Sequence, residues 1–488
     1  MSSPKRLIVD GVEFPQIVQF PKILGAVTSA LQPSRLIIGL LMVVALITFG
    51  RVWDGLARSS VNPAGLEAGR WDAEADGRTL QMVLRSSLRP FTEARPLNEA
   101  DNNTDLETGD VLREIAAGYR EKRKAITDDL ERQNFDRQYT ATVASINEAR
   151  PLGVFEASAM HAAQSVHQIV AGVLALNGGM VLSGAERLVV TLPSHLWNNH
   201  HWFLLLYGLL FMIVFSVGGG AISRMQAMQT AAQHRLRLGE AVDFALAGWF
   251  RFLTAQLWPL ILTALLVLVL VVMAVLLLVP LLDVVGGLLY GLALCFGFLA
   301  AFLLIGYAVG SPLLVPAVAC ENGDGLDAMQ RAYAYVVTRP LHLLFYWAVS
   351  LVGLALGFVL VSLFAMVMLN LTAEVFAWVS GHPALNVTGG FRMFDLSPSS
   401  DAVAGAWHER WTASGINFWQ TVVVCLVAAY VFSFHFSAAT VVYLLMRLAS
   451  DGQDIEEVWQ PGMIQGTTVA VQSQVAVTTV TTMPITSD

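Results

Sequence analysis

Residues Leu257–Leu282 read LWPLILTALLVLVLVVMAVLLLVPLL. The stretch carries no charge, and Leu265–Leu278 is Leu, Val, Met and Ala alone. A helix of about 20 mainly apolar residues crosses a hydrocarbon core of about 30 Å. With no polar face to turn to water, this run reads as a transmembrane helix, and its uniformity predicts that it faces lipid. Working outward, Val284–Val309 follows after a hinge at Pro280–Gly287, and Trp202–Ile222 precedes it. Leu343–Leu369 and Phe418–Met446 are the fifth and sixth long runs in chain order. The first run, Leu36–Val52, is shorter and is bracketed by Arg35 and Arg51, whose side chains are expected to snorkel to the headgroups.

Composition points the same way. The chain has 488 residues, 55% of them hydrophobic and only 14% charged, with mean hydropathy +0.59. Soluble domains carry about 25% charged residues. The deficit excludes an ordinary soluble enzyme and a chain disordered throughout. A net charge of −8, from 29 Lys+Arg against 37 Asp+Glu, leaves no basic surface suited to nucleic acid. The predicted fold class is therefore an all-α polytopic membrane helical bundle with six transmembrane helices. A mainly helical extramembrane insertion separates helices 1 and 2.

Orientation follows from Lys and Arg counted on short flanks. Lys5, Arg6, Lys22 and Arg35 precede the first span; Arg224, Arg235, Arg237 and Arg251 lie between the second and third; Arg331 and Arg339 lie between the fourth and fifth; Arg447 ends the sixth. The expected organisation is a cytoplasmic segment 1–35, a first span 36–53, an extracytoplasmic helical domain 54–201, a five-helix membrane domain 202–450 with two cytoplasmic interfacial helices, and a polar tail 451–488. Residues 371–416 are expected outside with 54–201, and both termini in the cytoplasm. No small-residue cleavage pattern follows the first span closely, so it reads as an uncleaved signal anchor. The expected location is a bacterial inner membrane.

In the outer segment, Val111, Ile115 and Tyr119 recur at helical spacing, and Arg120–Lys124 is a charge run that reads as a solvated helix face. Val154–Leu176 reads as a more apolar helix against the membrane, and Phe91–Thr104 as a loop. After the acidic run Asp451, Asp454, Glu456 and Glu457, residues 460–487 carry no charge. They read as a disordered tail, or as a strand that pairs only with a partner.

The two loops predicted inside resemble each other. Glu240-Ala241 is followed by Ala245 and Ala247, and Asp327-Ala328 by Ala332 and Ala334, at the same spacing. Gly219 and Gly306 stand at matching places in the preceding spans. Spans two–three and four–five thus read as two parallel copies of a span, interfacial helix, span unit. The run Pro316-Ala317-Val318, Glu321-Asn322-Gly323, Leu326-Asp327-Ala328, Arg331-Ala332-Tyr333 resembles a pattern in uncharacterised multi-span bacterial membrane proteins. More remotely it is similar to the membrane domain attached to some glycerophosphodiester phosphodiesterases. The resemblance covers residues 202–370 and implies a membrane fold. Those phosphodiesterases carry their chemistry in a separate soluble barrel of about 250 residues, and no soluble segment here is that long. No catalytic residue is carried over.

Chemistry-bearing patterns are few. The sequence has no phosphate-binding loop, nucleophile elbow or H-E-x-x-H pair. Cys295, Cys320 and Cys425 show no C-x-x-C spacing. His195, His200 and His201 cluster near Trp197, but no Cys or close carboxylate completes a metal set. No cofactor is expected. Within the spans, Tyr430, Ser433, Ser437 and Thr440 share one face of the sixth, either as hydrogen-bonding glue between helices or as a wet path. His435 is the only His, Lys, Arg, Asp or Glu well inside a span; it points away from that stripe and is expected to be buried, hydrogen-bonded and neutral. Gly287 and Gly291, and Gly353 and Gly357, are candidates for close helix packing, within the chain or between copies. Few intramembrane polar groups and two sizeable appendages favour a non-catalytic scaffold or accessory subunit of a membrane assembly, with the lipid bilayer and protein partners as its contacts. The alternative is a transporter or channel for a small solute or lipid.

Overall fold

The computed structural model describes residues 19–57, 60–61, 73–91, 108–149, 152–278, 282–380 and 407–466. The structure is 89% helical, and six of its helices are long and apolar enough to cross a membrane. The chain is a multi-pass membrane protein. Most of the loop expected at Phe91–Thr104, part of the hinge at Pro280–Gly287 and the end of the tail lie outside the described residues.

Helix α1 (Pro21–Ala30) precedes the first span, α2 (Pro33–Ala57). The insertion contributes α3 (Ala73–Leu88), α4 (Thr108–Ala125) and α5 (Asp129–Ala149), then α6 (Val154–Leu174) and α7 (Gly178–Glu186). The second span is α8 (Leu192–Ala231), followed by the loop helix α9 (Leu238–Ala247) and the third span α10 (Trp249–Val275). The fourth span α11 (Leu282–Glu321) leads to the loop helix α12 (Gly325–Thr338), the fifth span α13 (Pro340–Ser380) and the sixth, α14 (Trp407–Asp451). The end of the bundle that carries α9 and α12 is called the loop end below.

Every span helix begins before the apolar run that announces it, and all but α10 also extend past its end; α10 stops at Val275 and passes into a 3-10 turn at Leu276–Leu278. Pro259, Pro312 and Pro316 sit inside helices, where neighbouring spans tolerate the lost backbone bond. His200 leaves helical geometry (φ −138°, ψ 49°) and kinks α8 just before the membrane run.

The insertion is closed at its neck. Strand β1 (Ser60–Val61) pairs antiparallel with β2 (Leu152–Gly153). Asp54, near the end of α2, accepts from the backbone N–H groups of Phe155 (2.9 Å) and Glu156 (3.1 Å) and so caps α6 from across the chain. Between these ends α3, α4 and α5 share their own core of Leu84, Phe91, Val111, Ile115, Tyr119 and Ile146. Tyr119 donates to Asp136 at 2.6 Å, and Arg123 grips the same carboxylate at 2.9 Å. Burial first, then Asp136, raises the Tyr119 pKa above the ordinary phenol value, so this hydroxyl stays a donor.

Burial is uneven across the membrane part. The sixth span is the most enclosed, whereas the third and fourth pack mainly on each other and present wide apolar faces outward. Leu265, Leu268, Val271 and Val272 are exposed, as a lipid-facing third span requires. The two loops share a burial pattern as well as a spacing. Ala241 and Ala245 are buried and Ala247 exposed; Ala328 and Ala332 are buried and Ala334 exposed. Gly219 and Gly306 do not play matching parts, however: the first lies against Phe436 of α14, the second against Tyr333 of its own loop helix.

Candidate functional site

Charge gathers at the loop end. Glu321, the last residue of α11, is buried. Arg331 of α12 meets it side-on, with Nε 2.9 Å from Oε2 and Nη1 2.9 Å from Oε1. Two parallel charge-assisted bonds are the strongest arrangement available to this pair. Tyr443 of α14 donates to the same carboxylate, and Arg447, fully enclosed, lies 3.9 Å away. One carboxylate therefore ties three helices together. Just after it, Asn322 adopts the left-handed backbone region (φ 55°), which Asn tolerates better than most residues. The turn delivers its carbonyl to Arg251 of α10 at 2.9 Å.

The same arginines hold the segment after α14. Arg447 Nη2 donates to the carbonyls of Asp454 (3.0 Å) and Glu457. Arg224 of α8 donates to Ala319 O at 3.0 Å and to Trp459 O at 2.9 Å, with its guanidinium over the rings of Phe244 and Trp459. Trp459 N donates to Cys320 O at 2.9 Å, and Gly466 N to Glu321 O at 3.0 Å. Ile455 and Val458 are buried beneath. Residues 452–466, at the start of the expected polar tail, form a strap across the loop end. Sequence reasoning misses it because the strap is held through backbone carbonyls, which any residue supplies.

At the edge of this network Tyr335 of α12 donates to Asp451 at 2.6 Å. Burial, then Asp451, raises its pKa, so the phenol remains protonated. An open cavity of about 520 Å³ lies beside it, between the end of α12, the start of α13 and the end of α14.

The polar stripe of α14 faces protein. Ser433 donates to Ala30 O of α1 at 2.8 Å. Ser437 accepts from Arg35 at 3.3 Å, and Thr440 donates within its own helix to Phe436 O at 2.7 Å. Tyr430 is buried across Gly357, its hydroxyl without a hydrogen-bond partner among the described residues. His435 is half-buried beside the rings of Phe215 and Phe436 and makes no hydrogen bond among the described residues, so the expected bond is absent there.

Arg35 corrects another expectation. It does not snorkel: it is fully buried where α1, α2, α8 and α14 meet, donating to Gln226, Gln229 (2.7 Å) and Ser437. Ser29 joins through Gln226 at 2.9 Å, and Gln32 reaches Gln229 at 3.0 Å. No carboxylate pairs with Arg35 among the described residues. Helix α1 is too short to register in the sequence as a span.

The glycine candidates divide. A Cβ on Gly353 would meet Phe434 at 3.1 Å, and one on Gly357 would overlap Tyr430, so both mark the contact of α13 with α14. Gly287 and Gly291 have open space around them and pack against nothing among the described residues. Among the described residues, no three His, Cys, Asp or Glu side chains gather as a metal cluster. Comparison with known proteins finds no matching family model, no curated relative and no solved structure of similar fold.

Proposed function

We infer that this chain is a non-catalytic integral membrane protein that scaffolds or assists a membrane assembly. The carrying observation is that Ser433, Ser437 and Thr440 of the α14 stripe, with Arg35 and the loop-end arginines, are engaged by contacts within the chain, although the Tyr430 hydroxyl and His435 are not hydrogen-bonded among the described residues. Ser433 and Ser437 hold α1 and Arg35, and the loop-end arginines hold the strap. A solute path needs polar groups left free to face water or substrate. The insertion, with a core of its own, and the strapped loop end are then docking surfaces on opposite sides of the bilayer. In this reading the protein sits in a bacterial inner membrane, with the loop end and both termini cytoplasmic. The resemblance of residues 202–370 to multi-span bacterial membrane proteins belongs to the same proposal.

Mild-detergent purification of the full chain after chemical crosslinking tests it. The expected result is a partner protein recovered in fixed proportion, lost when exposed residues of the α4–α5 face are substituted. A chain that purifies alone, with Ser433→Ala and Ser437→Ala abolishing uptake of a solute by cells, would overturn it in favour of transport.

A further inference from the structure

We propose that the cavity between α12, α13 and α14 binds the headgroup of an aminophospholipid from the adjoining leaflet, its phosphate on Arg339 and His342 and its ammonium on Asp451. The cavity lies where the fifth span begins at Pro340 and the sixth ends at Asp451. Two spans reaching their limits together mark the level at which hydrocarbon gives way to headgroups. Arg339 and His342 are exposed and make no side-chain hydrogen bond or ion pair among the described residues. An arginine fork suits a phosphodiester oxygen pair, and a neighbouring imidazole adds a further donor.

The opposite wall supplies the other sign. Tyr335 fixes Asp451 by bonding Oδ2 at 2.6 Å, which leaves Oδ1 open for an ammonium group. Ser450 Oγ on the same wall is buried without a hydrogen-bond partner among the described residues. The surface that continues from the Arg339 and His342 wall is apolar: Leu341 is 78% exposed, with Leu344 and Phe345 a helical turn farther along α13. Anion, cation and apolar track therefore follow one another in the order of ammonium, phosphate and acyl chain. A soluble phosphate ester would have no use for the track, and an anionic headgroup no use for Asp451. The site stands apart from the scaffold reading and does not depend on it.

The test uses the purified full chain in detergent and three probes: dihexanoyl-phosphatidylethanolamine, dihexanoyl-phosphatidylglycerol and free phosphoethanolamine. Binding is followed by thermal shift and native mass spectrometry. The ethanolamine lipid should saturate at the lowest concentration. Arg339→Gln should raise its half-saturation about tenfold, the loss of one charge-assisted contact. Asp451→Asn, which still accepts from Tyr335, should weaken the ethanolamine lipid by a similar factor and leave the glycerol lipid unchanged. Arg237→Gln, on an exposed loop residue, should behave as the parent. Three results would overturn the assignment: Arg339→Gln binding as the parent does, phosphoethanolamine saturating at the same concentration as its lipid, or Arg237→Gln losing as much as Arg339→Gln.

Discussion

Arg224 and Trp459 hold the strap to the bundle from both sides of one residue: the guanidinium donates to the Trp459 carbonyl at 2.9 Å and lies 5.5 Å from the centre of its indole. The indole in turn packs near Phe244 and donates to Met463 O at 3.1 Å, so it is the apolar anchor of residues 452–466. Trp459→Ala leaves the backbone bonds possible but removes the ring. A loss of about 2 kcal/mol is expected, from a partly buried aromatic and its cation–π contact. The strap should then open before the bundle unfolds. Limited proteolysis at Glu456 and Glu457 in detergent checks this: rapid cleavage in the variant against protection in the parent. Equal cleavage would mean that the indole anchors nothing.

Glu321 is the only carboxylate directly bonded to Arg331 and within ion-pair reach of Arg447 among the described residues. Removing one partner of a buried pair leaves the other charge uncompensated, which costs about 3–5 kcal/mol. Glu321→Ala should therefore lower the thermal midpoint more than any surface substitution. Asp243→Ala, on the exposed face of α9, should stay within about 0.5 kcal/mol. Matching losses would show that Arg331 and Arg447 find other anions.

Arg35 poses the converse case, a buried cation held by neutral acceptors. Arg35→Ala strips donors from Gln226, Gln229 and Ser437, and unpaired buried acceptors cost about 1–3 kcal/mol each. Arg35→Met strips the same donors but fills most of the volume and removes the desolvated charge, so it avoids the cavity part of the loss. The expected order of thermal stability is parent highest, Arg35→Met intermediate, Arg35→Ala lowest. Arg35→Met falling as far as Arg35→Ala would show that the hydrogen bonds, and not the filled volume, carry the contribution of Arg35.

These residues show what a sequence can and cannot disclose. The spans were legible because lipid demands long uncharged runs, and Leu257–Leu282 admits no other reading. The loop helices were legible because Ala241 and Ala245, or Ala328 and Ala332, recur at the spacing of one buried helix face. The burial of Arg35 is not legible, because its place beside an apolar run is the same whether the residue faces headgroups or protein. Residues 452–466 look like any polar tail, since their partners are carbonyls met by arginines 7 to 235 residues away. The glycine pairs carry identical spacing in α11 and α13, and only the neighbour across the gap, Tyr430 and Phe434 in one case and nothing in the other, separates them.

Orientation is testable with single cysteines in a background lacking Cys295, Cys320 and Cys425. Lys124→Cys lies on the insertion and Asp243→Cys on a loop helix, both at exposed positions. An impermeant thiol reagent added to intact cells should modify Lys124→Cys and reach Asp243→Cys only after lysis. The reverse pattern would put the loop end outside, against the distribution of Arg224, Arg235, Arg237 and Arg251.

The contrast between the glycine pairs gives the sharpest test of packing. A Leu side chain at Gly357 has no room, because even its Cβ would overlap the Tyr430 hydroxyl, and α13 and α14 would have to separate. Overpacking of this kind costs about 1–3 kcal/mol, and more when backbones must move. Gly291→Leu meets nothing within 4 Å, and Leu268→Ile keeps an aliphatic on a lipid-exposed face. Neither should lower the thermal midpoint of the detergent-solubilised monomer. Replacing Gly by Leu within a helix even favours Gly291→Leu by about 1 kcal/mol of helix propensity. A midpoint for Gly291→Leu as low as that of Gly357→Leu would mean that Gly291 packs against something beyond this chain, such as a second copy. Crosslinking of the parent would then have to show a dimer that the variant has lost.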